Sequence, residues 1–223
     1  MAVPASPSLA ASAPAPGYRL SRNADGSVVR WNSCAAVHYR VNTSSAPPGA
    51  LGDVKAAVTR LSRATGMVFV YDGTTRTVPG RTYGGDAQPW NGRVPPVVIA
   101  WASPGKGKGR SDALSGARSQ VGVAGWRTAW WSDGRRSHAP RIVTGYVVIN
   151  KSSSARLSPG FGAGGRGPVL MHELGHVVGL EHVDDSRQLM YPTMTSVHSY
   201  SPGDLSGLRQ VGRRTRTAAD CLP

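Results

Sequence analysis

Three histidines fall within eleven residues of this chain, at positions 172, 176 and 182, in the stretch HELGHVVGLEH. His172 and His176 are i and i+4, so a helix sets them about 40° apart around its axis and one turn apart along it, facing one point. A helix continued to His182 would swing that side chain roughly 240° away from His176 and about 9 Å along the axis, out of reach of a shared ion. The helix must therefore stop. Gly179 is the natural stop, because glycine takes the left-handed conformation at a helix end without Cβ strain. His182 can then return as a third nitrogen ligand. Three neutral nitrogens leave one position of a tetrahedral zinc open, the pattern of a catalytic site. Zinc lowers the pKa of water there from 15.7 toward about 7, and a neighbouring carboxylate can move its proton to a leaving amine. Glu173, next to the first histidine, is that carboxylate. The chemistry implied is metal-assisted hydrolysis of a carbonyl compound, with a peptide bond as the expected substrate.

The run His172, Glu173, His176, Gly179, His182 reads H-E-x-x-H-x-x-G-x-x-H and resembles the zinc signature of metzincin metalloendopeptidases. That family also has a methionine turn beneath the zinc. Met190, in Gln188-Leu189-Met190-Tyr191-Pro192, lies eight residues after His182, and this wording and spacing are similar to the matrixin branch. Val183 departs from the serine usual in animal matrixins, which places the resemblance among bacterial matrixin-like or snapalysin-like secreted proteases.

The resemblance implies an α+β, zincin-like fold: a twisted five-stranded mixed sheet, a zinc-binding helix and a small C-terminal subdomain. It implies one catalytic zinc held by His172, His176 and His182, Glu173 as general base and acid, and Met190 as structural support. Tyr191 and Pro192, and the stretch on to His198, would wall the pocket for the residue after the cleaved bond. A polypeptide would lie extended along an edge strand, for which Val121 to Trp131 is the candidate; the alternative is an interior hairpin strand.

These residues need elements to hold them. Ala36 to Val41 reads as a strand. Pro47-Pro48-Gly49 opens a helix with Leu51, Val54, Val58 and Leu61 on one face, ended by Gly66. Met67 to Tyr71 and Val97 to Trp101 are short apolar runs suited to buried strands, with a long Gly/Pro loop between them. Residues 121 to 131 and 141 to 150 read as strands joined by a hairpin turn over Ser132 to Arg136. Ser152 to Gly167 reads as a flexible loop, and Pro168 suits the first turn of the zinc helix. A last helix starts at Ser201, with Pro202 in its first turn, Asp204 completing a capping box, and Leu205, Leu208 and Val211 facing inward. His38 is expected to be structural, and His138 and His198 to lie in loops. Asp184 and Asp185 could orient His182 or a turn, with surface acids as the plainer reading.

A chain of 223 residues suits one domain, expected over 18–223 with an upper lobe to about 182 and a lower lobe from 183. Residues 1–17 are mostly Ala, Pro and Ser without charge and are not expected to be a complete signal peptide; they read as a disordered lead or as what remains beside a removed or mis-started export signal. No stretch approaches 18 apolar residues, which excludes a membrane-spanning helix. Cys34 and Cys221 would pair in an oxidising compartment, a closure of such length contributing about 4 to 5 kcal/mol in the chain-entropy model. The alternatives are a latency ligand at Cys34 or two buried thiols. Secretion is expected from the cysteines and the resemblance. A net charge of +14 favours anionic surfaces or polymers. Lys106-Gly107-Lys108-Gly109-Arg110 lacks phosphate-loop spacing and reads as a solvated basic loop, and no sequence-specific nucleic-acid motif accompanies the charge. A monomer is expected, and calcium is not indicated. The rival function is a basic binding module that keeps zinc for stability alone.

Overall fold

A strand with alternating apolar residues can bury one face, whereas a continuous apolar run must be covered on both. The computed structural model, which describes residues 17–32, 34–85, 87, 94–117, 119–132 and 137–213, follows that distinction. Strand β2 (Val37–Asn42) alternates between buried and exposed positions over its first four residues. Strand β4 (Val97–Pro104) is buried at each of its first six residues and runs through the middle of the sheet.

The main sheet has the order β3-β2-β4-β7-β6, with β3 at Phe69–Thr74, β6 at Gly122–Ser132 and β7 at Ser137–Asn150. Strands β3, β2, β4 and β7 are parallel, and β6 is antiparallel to β7 at one edge. A mixed multi-stranded sheet is thus present, and with the two-residue β5 (Arg110–Ser111) paired to the end of β4 it has six strands where five were expected. A separate two-stranded ribbon pairs β1 (Arg19–Leu20) with β8 (Leu180–Glu181).

Helices cover one face. Helix α1 (Ala50–Thr65) buries Ala50, Val54, Ala57, Val58 and Leu61, and Gly66 closes it in the left-handed conformation at φ 73°. Leu51, expected on the buried face, is only half-buried. Helix α3 (Arg166–Val177) carries the first two histidines, and helix α4 (Pro202–Val211) closes the chain. Buried residues of all three join Ile99, Trp101 and Val147 of the sheet, together with Met190, in one core. On the other sheet face a smaller cluster holds Ala102, Ala113, Leu114, Tyr146 and Val148. Among the described residues no helix is long and apolar enough to cross a membrane.

Two expectations are corrected. The 152–167 stretch is not a structureless loop: α2 (Lys151–Ser154) opens it, capped by the Asn150 side chain, and backbone bonds from Gly165, Arg166 and Gly167 back to Gly162, Ser158 and Gly160 fold its end. The composition is rich in Ser and Gly, but repeated turns satisfy the backbone. His138 lies in β7 and not in a loop, because β7 runs well beyond its pairing with β4 to pair with β6. The lead 1–16, the turn residues 133–136 and Cys221 lie outside the described residues.

Candidate metal centre

Helix α3 begins at a buried ion pair. Arg166, 5% exposed, donates from Nε to Asp53 of α1 at 2.9 Å and from Nη2 to the Pro48 carbonyl at 2.9 Å. The Asp53 carboxylate also accepts the Gly160 amide at 3.2 Å, so both charges keep partners and the zinc helix is tied to α1 at its first residue.

At its other end α3 stops after Val177, and Gly179 stands at φ 99°, where a side chain would be strained. The chain turns back through β8 and brings His182 to the other two histidines. The three Nε2 atoms stand 3.1 Å (172 to 182), 3.2 Å (172 to 176) and 3.1 Å (176 to 182) from one another. Tetrahedral zinc with Zn–N bonds of about 2.0–2.1 Å separates its nitrogens by about 3.3 Å, so the donor set fits zinc closely. The other ring nitrogens carry the protons: His172 Nδ1–H donates to the Leu189 carbonyl at 2.7 Å, and His176 Nδ1–H to the Leu180 carbonyl at 2.8 Å. These bonds select the tautomer that points an Nε2 lone pair at the common point. Burial holds the first two imidazoles neutral, lowering His172 to about 4 and His176 to about 3; His182, more exposed, is lowered too. Nearby neutral imidazole is what a metal ligand must be. Among the described residues, no other group of three His, Cys, Asp or Glu converges in this way.

Glu173 is 7% exposed, and burial alone pushes its carboxyl up to about 8. It shares with the triad the lining of a cleft of about 730 Å³. The cleft is lined by the start of β6, with Gly122, Val123, Ala124 and Trp126, and by Tyr191, Pro192, Met194 and Val197. Gly122 backs directly on Glu173: a Cβ there would sit 2.6 Å from Oε1 and 3.0 Å from Cδ and Cγ. Its φ is ordinary, so space and not backbone conformation requires glycine at this position.

Met190 is 1% exposed beneath the helix, and its sulfur would stand 2.6 Å from a Cβ on Gly175, the residue before His176. The methionine turn is fastened by Asp204. This carboxylate, fully buried, accepts the amides of Leu189 at 2.7 Å, Met190 at 3.2 Å and Ser201 at 2.8 Å. The sequence marks Asp204 as a helix cap only, and its reach to the turn that orients His172 is a second role. Val183, the departure from serine, is 3% exposed and donates its amide to the Met190 carbonyl at 3.1 Å, joining the third-ligand segment to that turn.

The remaining candidates lie elsewhere. Asp185 accepts from Arg187 and Gln188, which identifies it as a turn residue with no hydrogen bond to His182. His38 is on the outer surface, paired with Asp72 at 2.9 Å, and His198 is exposed. Cys34 is not part of the converging group of His172, His176 and His182.

A family model described as matrixin matches residues 166–211, about a fifth of the chain. The matched stretch runs from the first residue of α3 through the triad and methionine turn to the end of α4. No curated protein matches the chain. Together with the converging histidines, the match supports a metallopeptidase of metzincin-like kind with a three-histidine metal site suited to zinc.

Proposed function

We propose that the protein is a secreted, zinc-dependent endopeptidase of matrixin-like or snapalysin-like type, with Glu173 as its general base and acid. The observation that carries this reading is a trio of converging Nε2 atoms beside a buried carboxyl in one open cleft. Zinc, when bound by the three histidines, supplies a Lewis acid and lowers the pKa of water to about 7. Glu173 receives the proton of the attacking water and returns it to the departing amine. Its place in the cleft lining beside the three histidines suits both transfers, since the same carboxyl can take the proton on one side of the reaction and return it on the other. The substrate chain lies along the free edge of β6, hydrogen-bonding to backbone groups irrespective of sequence. Tyr191 and Pro192 bound the pocket for the residue after the cleaved bond. Pairing of Cys34 with Cys221, action as a monomer and attraction to anionic surfaces belong to the same proposal.

The test is hydrolysis of casein or a peptide library by the purified chain. Activity is expected with zinc, lost on chelation and restored by adding zinc back. A zinc-loaded wild type that cleaves neither substrate would leave the metal with a stabilising role alone.

The close approach at Gly122 adds a sharper expectation. Gly122→Ala displaces the Glu173 carboxyl, and misplacement of a reacting group by about 1 Å can cost about 10²-fold. Steady-state kinetics should show kcat falling by about that factor with KM little changed, and metal analysis should find zinc at wild-type content. Wild-type kcat in this variant would mean that Glu173 has room to move, or is not used.

A further inference from the structure

His172 and His176 are placed by the helix that carries them, but His182 follows a return strand only two residues long and is exposed to solvent. Its position depends on whatever holds residues 177–182. Residues 19–31, about 150 positions upstream, hold them at successive points. The Trp31 indole Nε1–H donates at 2.9 Å to the Val177 carbonyl, one of those that a helix leaves without an internal partner at its C-terminal end. The Ser21 amide donates at 2.9 Å to the Gly179 carbonyl, on the residue that reverses the chain. Arg19 and Leu20 pair antiparallel with Glu181 and Leu180, and the Ser21 hydroxyl donates to the Glu181 carboxylate. Gly179 packs so closely that a Cβ on it would lie 2.8 Å from the Val29 carbonyl oxygen. The upstream segment is itself closed, since the Val29 amide donates to the Ser21 carbonyl at 2.9 Å, and Val29 and Trp31 are buried.

We propose that segment 19–31 is a clamp that positions the third metal ligand, with Trp31 and Ser21 as its positioning residues, so that metal affinity is set in part from the N-terminal side of the chain. The inference rests on reading the triad as a zinc site. A ligand on a loose segment binds only from the fraction of time it spends in place, and apparent affinity falls by that fraction. The clamp also reaches a second ligand. Leu180, paired with Leu20, is the residue whose carbonyl accepts the Nδ1–H of His176. Loosening residues 179–182 therefore disturbs two of the three imidazoles, while His172, held through Leu189, keeps its orientation.

The test uses the full chain with Trp31→Phe, which keeps a ring and removes the N–H, and Ser21→Ala. Val54→Ala, in the buried face of α1, serves as a control for simple loss of stability. Zinc affinity is measured by competition with a chromophoric chelator. Trp31→Phe is expected to weaken it about tenfold or more and Ser21→Ala several-fold, the scale usual for groups that orient metal ligands. Val54→Ala should lower Tm without weakening zinc. In the chelated proteins, hydrogen exchange at 179–183 should quicken in both clamp variants and stay unchanged at 168–174. If Trp31→Phe fails to fold, Ser21→Ala decides the matter. Wild-type affinity together with wild-type exchange in the clamp variants would overturn the proposal. A wild type that binds zinc but cleaves nothing would sink the peptidase reading alone, and one that takes up no zinc would sink the zinc reading while exchange at 179–183 still judged the clamp.

Discussion

Glu173→Gln is expected to lower kcat for peptide hydrolysis by about 10³-fold or more while zinc remains bound at one ion per chain. The amide matches the carboxyl in shape, so the packing against Gly122 survives, but it cannot accept a proton at working pH. General acid–base groups contribute about 10² to 10⁴-fold, and here one group serves both proton transfers. Steady-state kinetics with metal analysis on the same preparation is the measurement. Activity within tenfold of wild type would assign the proton transfers to another group.

The same substitution has a signature in the metal-free protein. The Glu173 carboxyl stands at about 8 in the folded chain against an ordinary value of 4.5, so between these pH values the folded state keeps a proton that the unfolded state has lost. Stability from this group is complete below about pH 4.5 and is lost as pH rises through 8. His172 and His176 work in the opposite sense, because their depressed values make the folded state bind fewer protons, but their effect is confined to pH below the ordinary 6.5. From pH 6.5 to 8, then, Glu173 dominates among the three. Chelated wild type should lose up to about 2 kcal/mol over that interval relative to chelated Glu173→Gln. Thermal unfolding of the two at several pH values reads the difference, and parallel curves would mean the carboxyl is better solvated than its burial implies.

Asp204→Ala is expected to destabilise the fold by about 3 kcal/mol or more and to weaken zinc binding as well. The substitution leaves the amides of Leu189, Met190 and Ser201 without their acceptor, and an orphaned buried donor costs about 1–3 kcal/mol. For a domain of this size that corresponds to a fall in Tm of about 6–12 °C. The metal effect follows from connectivity: Leu189, whose amide Asp204 holds, offers its carbonyl to His172. Asp204→Asn, which keeps one acceptor oxygen, should fall between. A Tm within 2 °C of wild type for Asp204→Ala would show that the methionine turn is held by other means, such as the Gln188 side chain that accepts the Gly203 and Asp204 amides.

The parts of this site that were legible from sequence are those set by local periodicity. An i, i+4 pair on a helix, a glycine that reverses the chain and a capping box at Ser201 and Asp204 depend on residues within a turn or two of each other, where backbone geometry alone fixes relative position. The apolar runs likewise foretold β2, β4 and α1, because burial on one or both faces leaves a mark on residue type. His138 was misplaced because nothing in its neighbours records how far β7 extends to meet β6.

The supports of the site carry no such mark. Trp31 meets Val177 across 146 positions and Arg166 meets Asp53 across 113, while Gly122 is needed only because Glu173 happens to press against its Cα. The sequence by itself determined the metal-binding chemistry and the helix that presents two ligands. The tertiary structure alone decided what holds the third ligand, seats the carboxyl and anchors the methionine turn, because those contacts join segments that come together only when the sheet and its helices pack.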